Sequence, residues 1–194
     1  MKNIIVVATI VLANALSGAA LGQSGQSEKS GKSGPLELTT VERVDIPRYI
    51  GKWHEIALLP NRFQAQCVAD TTATYAIKDN GNIEVTNRCK LADGKYEIAL
   101  GEAKLAKPDN TTKLKVRFAP WYLSWLPQVW GNYWVIKLEP NYQYAVVSEP
   151  DRKMLWILSR TPTMNADTFA SIKTELTAKG FDMTKLQLTP QSGG

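Results

Sequence analysis

Between Lys52 and Arg160, apolar and polar residues alternate with a period of two, in short segments broken by turn residues at fairly even intervals. That pattern predicts an antiparallel meander, rolled into a barrel or stacked as a sandwich. The predicted strands are 52–59, 69–78, 82–90, 95–106, 113–118, 132–139, 143–149 and 153–160. Asp79-Asn80-Gly81-Asn82 is the strongest hairpin signal, because Asn-Gly accepts the positive φ angles of a two-residue type I′ turn. Lys107-Pro108-Asp109-Asn110 and Glu139-Pro140-Asn141 supply further turns. After Arg160 the period lengthens. Asn165 or Asp167 caps a helix in which Phe169, Ile172, Leu176 and Ala178 form one apolar stripe, ending at Lys179-Gly180. Phe181 to Leu188 is expected to be a short tail strand.

The start of the chain reads differently. Lys2 precedes an apolar run from Ile4 to Leu16 and then the small residues Ser17 to Gly22, the pattern of an export signal cleaved after Gly22. The run is too short for a membrane span. Residues 23–34 are Ser, Gly, Gln and Lys with one Glu and no apolar side chain. Such a stretch buries too little surface to offset its ordering entropy, so it reads as a flexible leader. One folded domain is expected over 35–190, followed by a disordered tail at 191–194. The formal charge is +5, but basic and acidic residues are interspersed. This argues against a nucleic-acid partner.

Tyr49-Ile50-Gly51-Lys52-Trp53-His54-Glu55-Ile56-Ala57 sets an aromatic on one face of an apolar strand, just after a glycine that lets the backbone turn sharply. Asn141-Tyr142-Gln143-Tyr144-Ala145-Val146-Val147 and Leu155-Trp156-Ile157-Leu158-Ser159-Arg160-Thr161-Pro162 follow. In order and separation these resemble the three motifs of the lipocalins, and the likeness runs from about Asp45 to Leu188, toward the bacterial outer-membrane and apolipoprotein D-like branch. The resemblance implies an all-β fold, an eight-stranded antiparallel up-and-down barrel with one C-terminal α-helix packed outside. It also implies that Trp53 plugs the floor with Arg160 over its ring, so that Gly51, Trp53 and Arg160 serve stability rather than an active site. Bacterial members are commonly acylated on a cysteine directly after the signal. Here Gln23 stands in that place and the first cysteine is Cys67. A soluble product in the periplasm or outside the cell is therefore expected.

An eight-stranded barrel either fills itself with side chains or holds one small ligand. The resemblance favours the second. Alternation makes Ala73, Tyr75 and Ile77, Ile83 and Val85, Leu114, Val116 and Phe118, and Trp134, Ile136 and Leu138 the inward sets. Tyr75, Ile77, Val85, Val116, Phe118, Trp134, Ile136 and Trp156 are the candidate ligand contacts. Burying about ten methylenes at about 0.8 kcal/mol each yields on the order of 8 kcal/mol, against about 1 kcal/mol for one hydrogen bond. Apolar walls would thus set affinity for a fatty acid, lysophospholipid or similar amphiphile. No cofactor is implied.

The segment Phe118 to Gly131 is dense in aromatic residues and falls at the open end of such a barrel. Trp121, Tyr122, Leu123, Trp125 and Trp130 would ring the mouth, touching a membrane surface or lidding a lipid tail, unless they fold down as satellite core. Cys67 and Cys89 are the only cysteines, and an oxidising compartment permits their pairing. A two-residue turn would place Cys89 opposite Thr72, so the bridge requires the first loop to fold back or a bulge to intervene. His54, the single histidine, and Glu55 are the only acid–base candidates for an alternative in which the barrel holds a lipid substrate for chemical change. Neither a nucleophile motif nor a Cys/His cluster for a metal accompanies them. The remaining alternative is an inert barrel that docks on membrane through its tryptophan-rich loop.

Overall fold

The computed structural model describes residues 37–192, so the expected export signal and leader lie outside the described residues. The chain enters the domain through one helical turn, α1 (Ile46–Tyr49), set by a carboxylate of Asp45 that accepts from Arg48 N and by a proline in its first turn. Gly51 then opens the first strand at φ +93°, and a Cβ there would stand 3.4 Å from Arg160 Nη1. The backbone angle selects glycine.

Eight antiparallel strands follow: β1 (Gly51–Leu58), β2 (Cys67–Ile77), β3 (Ile83–Leu91), β4 (Tyr96–Lys107), β5 (Asn110–Arg117), β6 (Gly131–Leu138), β7 (Tyr144–Ser148) and β8 (Leu155–Ser159). Each pairs with the next, and β1 closes the barrel by pairing with β2 over Gly51–His54 and with β8 over His54–Leu58. A register shift between Glu55 and Ala57 lets one strand serve both neighbours.

Where β2 parts from β1, residues near the end of the chain take its place. The expected tail strand is reduced to β9 (Gln187–Leu188), paired with Ala57 and Leu58, because Asp182 caps a 3₁₀ turn over Met183–Lys185. Gln191 and Ser192, expected in a disordered tail, are instead bonded into the seam. Gln191 Nε2 donates to Glu55 O at 2.9 Å and Thr71 O at 3.0 Å. Ser192 N and Oγ each donate to Asp70 at 2.6 Å and hold its carboxyl below the usual range.

The β2–β3 hairpin also differs from expectation. Lys78 N donates to Asn82 O and Gly81 N to Lys78 O, with Gly81 at φ +80°. The loop therefore has three residues, Asp79 to Gly81, and ends in a left-handed glycine, as three-residue hairpins do. Ile77 now faces Ile83, and two further shifts, between Cys67 and Ala69 and between Ala69 and Thr72, advance the pairing to Cys67 opposite Leu91. Those bulges bring Cys67 within a Cα separation of 5.5 Å of Cys89, and the expected disulfide is present.

Helix α2 (Ala166–Ala178) lies over the outside of the barrel, with Asn165 Oδ1 accepting from Asp167 N and Thr168 N. Ile172 and Leu176 are buried, and Phe169 packs beside them. Ala178 is exposed, because two residues beyond Leu176 lies on the far side of a helix. The core divides accordingly. One cluster, built on Trp53, Tyr75, Val85, Leu114, Val135 and Leu158, lies inside the barrel. The other, built on Ile56, Ile136, Val146, Ile157, Ile172 and Leu176, lies under the helix.

The floor is fixed by one cation. Arg160 lies 3.7 Å over the Trp53 ring, which is fully buried, and donates to the carbonyls of Lys52, Arg48, Tyr49 and Tyr142. Trp53 Nε1 donates to Tyr49 O at 2.8 Å. Arg160→Ala is expected to lower unfolding free energy by about 3 kcal/mol, from the stacked cation and its carbonyl bonds together. Urea unfolding measures this, and a loss under about 0.5 kcal/mol, the size of an ordinary surface substitution, would contradict it.

Candidate functional site

Above Trp53 the barrel encloses a cavity of about 530 Å³, open at the end where the β1–β2 and β5–β6 connections lie. Part of its room comes from β4, which turns Ala99 and Ala103 toward the interior opposite Asn87 and Ile83, while Ile98 and Leu100 face outward. At Gly101 a Cβ would meet the Phe118 ring at 2.8 Å, so the glycine admits that ring.

Of the candidate ligand contacts, Tyr75, Val85, Val116, Phe118 and Trp156 line the cavity, with Ala73, Ile83 and Leu114 beside them. Phe118 lies just past β5, at the rim. Three candidates do not line it. Ile77 shares the phase of Tyr75 but lies beyond the end of the β1 pairing, and it is exposed. Trp134 and Ile136 face the helix side, packed in the outer cluster, and Lys113 Nζ lies 3.9 Å over the Trp134 ring. The inward residues of β6 are Tyr133 and Val135. After a bulge between Val135 and Lys137 the phase reverses, and Leu138 packs with the inner cluster. Because α2 covers this part of the wall, both faces of β6 are apolar and alternation could not give its phase.

Of the polar groups facing the cavity, Tyr75 follows from the alternation, whereas Tyr49, Tyr133 and Glu55 do not. Tyr49, Tyr75 and Tyr133 meet at the floor, Tyr133 Oη lying 2.7 Å from Tyr49 Oη and 3.0 Å from Tyr75 Oη. Burial raises all three phenols, Tyr75 to about 12. Glu55 also borders the cavity and is buried, with Gln64 Nε2 donating to one carboxyl oxygen at 2.7 Å and Thr189 Oγ1 to the other at 2.6 Å. Gln64 Oε1 in turn accepts from Trp156 Nε1 at 2.6 Å. Desolvation raises the Glu55 pKa, and the two donors only partly offset it. His54, adjacent in sequence, is not part of the cavity wall, and its Nδ1 lies 3.3 Å from Gln191 Oε1. The two acid–base candidates are therefore not brought together.

At the mouth the tryptophan-rich segment forms two 3₁₀ turns, Trp121–Leu123 and Pro127–Val129. Of the five residues expected to ring the mouth, Trp130 alone borders the cavity. It donates from Nε1 to Ser124 O, with Lys104 Nζ 4.1 Å and Arg117 Cζ 5.2 Å from its ring centroid. Trp121, Tyr122, Leu123 and Trp125 stand away from the cavity, and Trp121 and Trp125 are 78% and 76% exposed. Arg117 is committed to Glu102, which also accepts from Asn82 and Lys78; these donors hold its carboxyl down to about 2.

A closed barrel with a tryptophan-stoppered floor and an apolar cup defines a container for a small hydrophobic molecule. Residues 44–191 match the lipocalin-like domain, and the chain belongs to the lipocalin family. It is 40% identical over 158 residues to temperature-induced lipocalin-1 of Arabidopsis thaliana, covering 80% of this chain and 84% of that protein. The outer membrane lipoprotein Blc of Escherichia coli K12 is 36% identical, with 82% and 86% covered, and mouse apolipoprotein D is 32% identical, with 78% and 79% covered. Among solved structures, insecticyanin of the tobacco hornworm Manduca sexta shares the fold with a TM-score of 0.60 at 24% identity, covering 79% of this chain and 84% of that one.

Because the folded chain holds the Glu55 proton more tightly than the unfolded chain, this group removes stability as pH rises from the ordinary glutamate range through its folded-state value, and no more above it. Glu55→Gln is expected to flatten that part of the stability profile and to gain on the order of 1 kcal/mol at neutral pH. Urea unfolding across the weakly acidic range checks this; an unchanged slope contradicts it.

Proposed function

We propose that this lipocalin carries or stores an amphiphilic lipid, a fatty acid or lysophospholipid, with the acyl chain in the cup and the head group at the mouth, in the service of the cell envelope. The observation that carries the reading is an open apolar cup rather than a packed interior, made by small side chains on β4 above the Trp53 floor. About ten buried methylenes would supply on the order of 8 kcal/mol, enough for micromolar affinity before ordering costs. The mouth carries both signs, Arg62 against Glu97 and Glu149, with Arg117 already paired to Glu102, which favours a zwitterionic or weakly charged head over a multiply charged anion. Export to the periplasm or beyond is supported by the signal pattern at 1–22, by the Cys67–Cys89 bridge and by likeness to proteins named outer membrane lipoprotein and apolipoprotein. Binding without chemical change is supported by Glu55, whose carboxyl oxygens are both engaged by protein donors, and by His54, which lies off the cavity wall.

A second observation extends the reading to the membrane surface. Trp121, Tyr122 and Trp125 present their rings outward beside the mouth, where amphipathic aromatics suit a bilayer interface.

Titration with a fluorescent fatty acid is expected to give one saturable, competable site of micromolar affinity, and organic extraction followed by mass spectrometry is expected to recover a bound lipid. Absence of a saturable site removes the proposal. Replacing both Trp121 and Trp125 with Ala is expected to weaken binding to phospholipid vesicles about tenfold, while changing unfolding free energy by under about 0.5 kcal/mol. Unaltered vesicle binding with lost stability would assign these rings to packing.

A further inference from the structure

The floor of the cup asks something specific of whatever reaches it. Tyr49, Tyr75 and Tyr133 arrive from α1, β2 and β6 and present three hydroxyls in a row, Tyr133 in the middle. The rings are held from behind: Tyr49 lies 5.0 Å from Trp53 and 5.8 Å from Tyr75, and Tyr75 meets Tyr133 edge-on at 6.1 Å. Three hydroxyls carry three hydrogens, and each donates once. Their two contacts use two of those hydrogens. The row can run from Tyr49 to Tyr75, run the other way, or have both ends donate to Tyr133; in every case one O–H is left. No other protein acceptor engages these hydroxyls among the described residues. All three residues border the cavity.

A second polar group belongs to the same wall. Asn87 lies on β3 two residues from Val85, which faces Tyr75, and it too borders the cavity. Its Oδ1 is buried and has no hydrogen-bond partner among the described residues. Apart from the Glu55 carboxyl, both of whose oxygens are engaged by Gln64 and Thr189, the largely apolar cup thus holds a neutral hydroxyl donor at the bottom and an amide further along the wall.

We propose that this floor is a subsite for an uncharged oxygen, so that the preferred ligand is a lipid whose buried end bears a hydroxyl or carbonyl group in place of a bare methyl. The inference rests on the lipid-binding reading above. A charged end fits poorly. The cation that acts on Tyr49 and Tyr75 is Arg160, whose guanidinium is stacked on Trp53 and spends its N–H groups on four backbone carbonyls. A carboxylate brought to the floor would be buried without a counter-ion. A hydroxyl can accept the remaining phenol hydrogen and donate in return, and a carbonyl can accept it.

The test displaces an environment-sensitive fluorescent fatty acid with length-matched pairs, a saturated fatty acid and the same acid hydroxylated at its far end, over a series of chain lengths. In the native sequence, at the length that reaches the floor, the hydroxylated acid is expected to compete about fivefold better than its parent. In Tyr49→Phe/Tyr75→Phe/Tyr133→Phe, which keeps the rings and removes the hydroxyls, it is expected to compete about tenfold worse, because its hydroxyl is buried without a partner. A hydroxylated acid that competes worse than its parent at every length in the native sequence overturns the subsite and leaves lipid binding standing. An unaltered preference in the triple variant also overturns the subsite. Failure of both acids to compete overturns the subsite together with the reading beneath it. If the triple variant does not fold, the comparison in the native sequence decides alone.

Discussion

The arrangement depends on a single stacked cation. Arg160 leaves the end of β8, crosses to the start of β1, and joins the two strands that must meet for the sheet to close. Its partners are chiefly backbone carbonyls, groups every residue has, so the clamp constrains geometry rather than sequence. Gly51 stands beside it, its φ of +93° selecting glycine where a Cβ would come into contact with the guanidinium. By closing the floor with one indole and one guanidinium, the chain seals the barrel without filling it.

The interior is therefore built on an asymmetry. Large rings from α1, β1, β2 and β6 gather at the bottom, while the wall formed by β4 presents Ala99 and Ala103. Volume in a close-packed protein must come from small side chains that nothing compensates. Here Ile98 and Leu100 of β4 point out to solvent, 59% and 67% exposed, which reverses the usual inside-out order of a strand over this stretch. That arrangement makes sense for a wall whose inner face is meant to be covered by something other than the protein.

Much of this was legible in the sequence and some of it could not be. The motifs around Trp53 and Arg160 pointed to the fold, and Asn165 and the stripe through Ile172 and Leu176 located the helix. Phase was legible only where one face of a strand meets water. On β6 both faces are apolar, so alternation favours Trp134 and Ile136 as the inward residues, whereas Tyr133, the middle of the phenol row, is the one that faces the cavity. The Asp79-Asn80-Gly81 loop could be seen as a turn, but its length depends on one hydrogen bond, and one residue of length decides what faces Cys89. Apolar alternation carries no signal for Asn87 or for the small residues of β4, and it marks Glu55 only as an acid–base candidate, not as a buried, doubly bonded carboxyl on the cavity wall. The carboxyl of Glu55 and the amide of Gln191 acquire meaning only from partners far along the chain.

That distance has a consequence for how the molecule comes into being. Arg160 reaches Lys52 across 108 positions and Gln191 reaches Glu55 across 136, so the seam is sewn by residues from opposite ends of the domain. Hairpins between neighbouring strands can form early, but closing the seam carries the entropic cost of a very long loop. A ribosome holding back residues 155–192 would leave β1 with a free side and the apolar interior uncovered. Closure must follow synthesis of the whole domain, and until then the cup lacks its last wall.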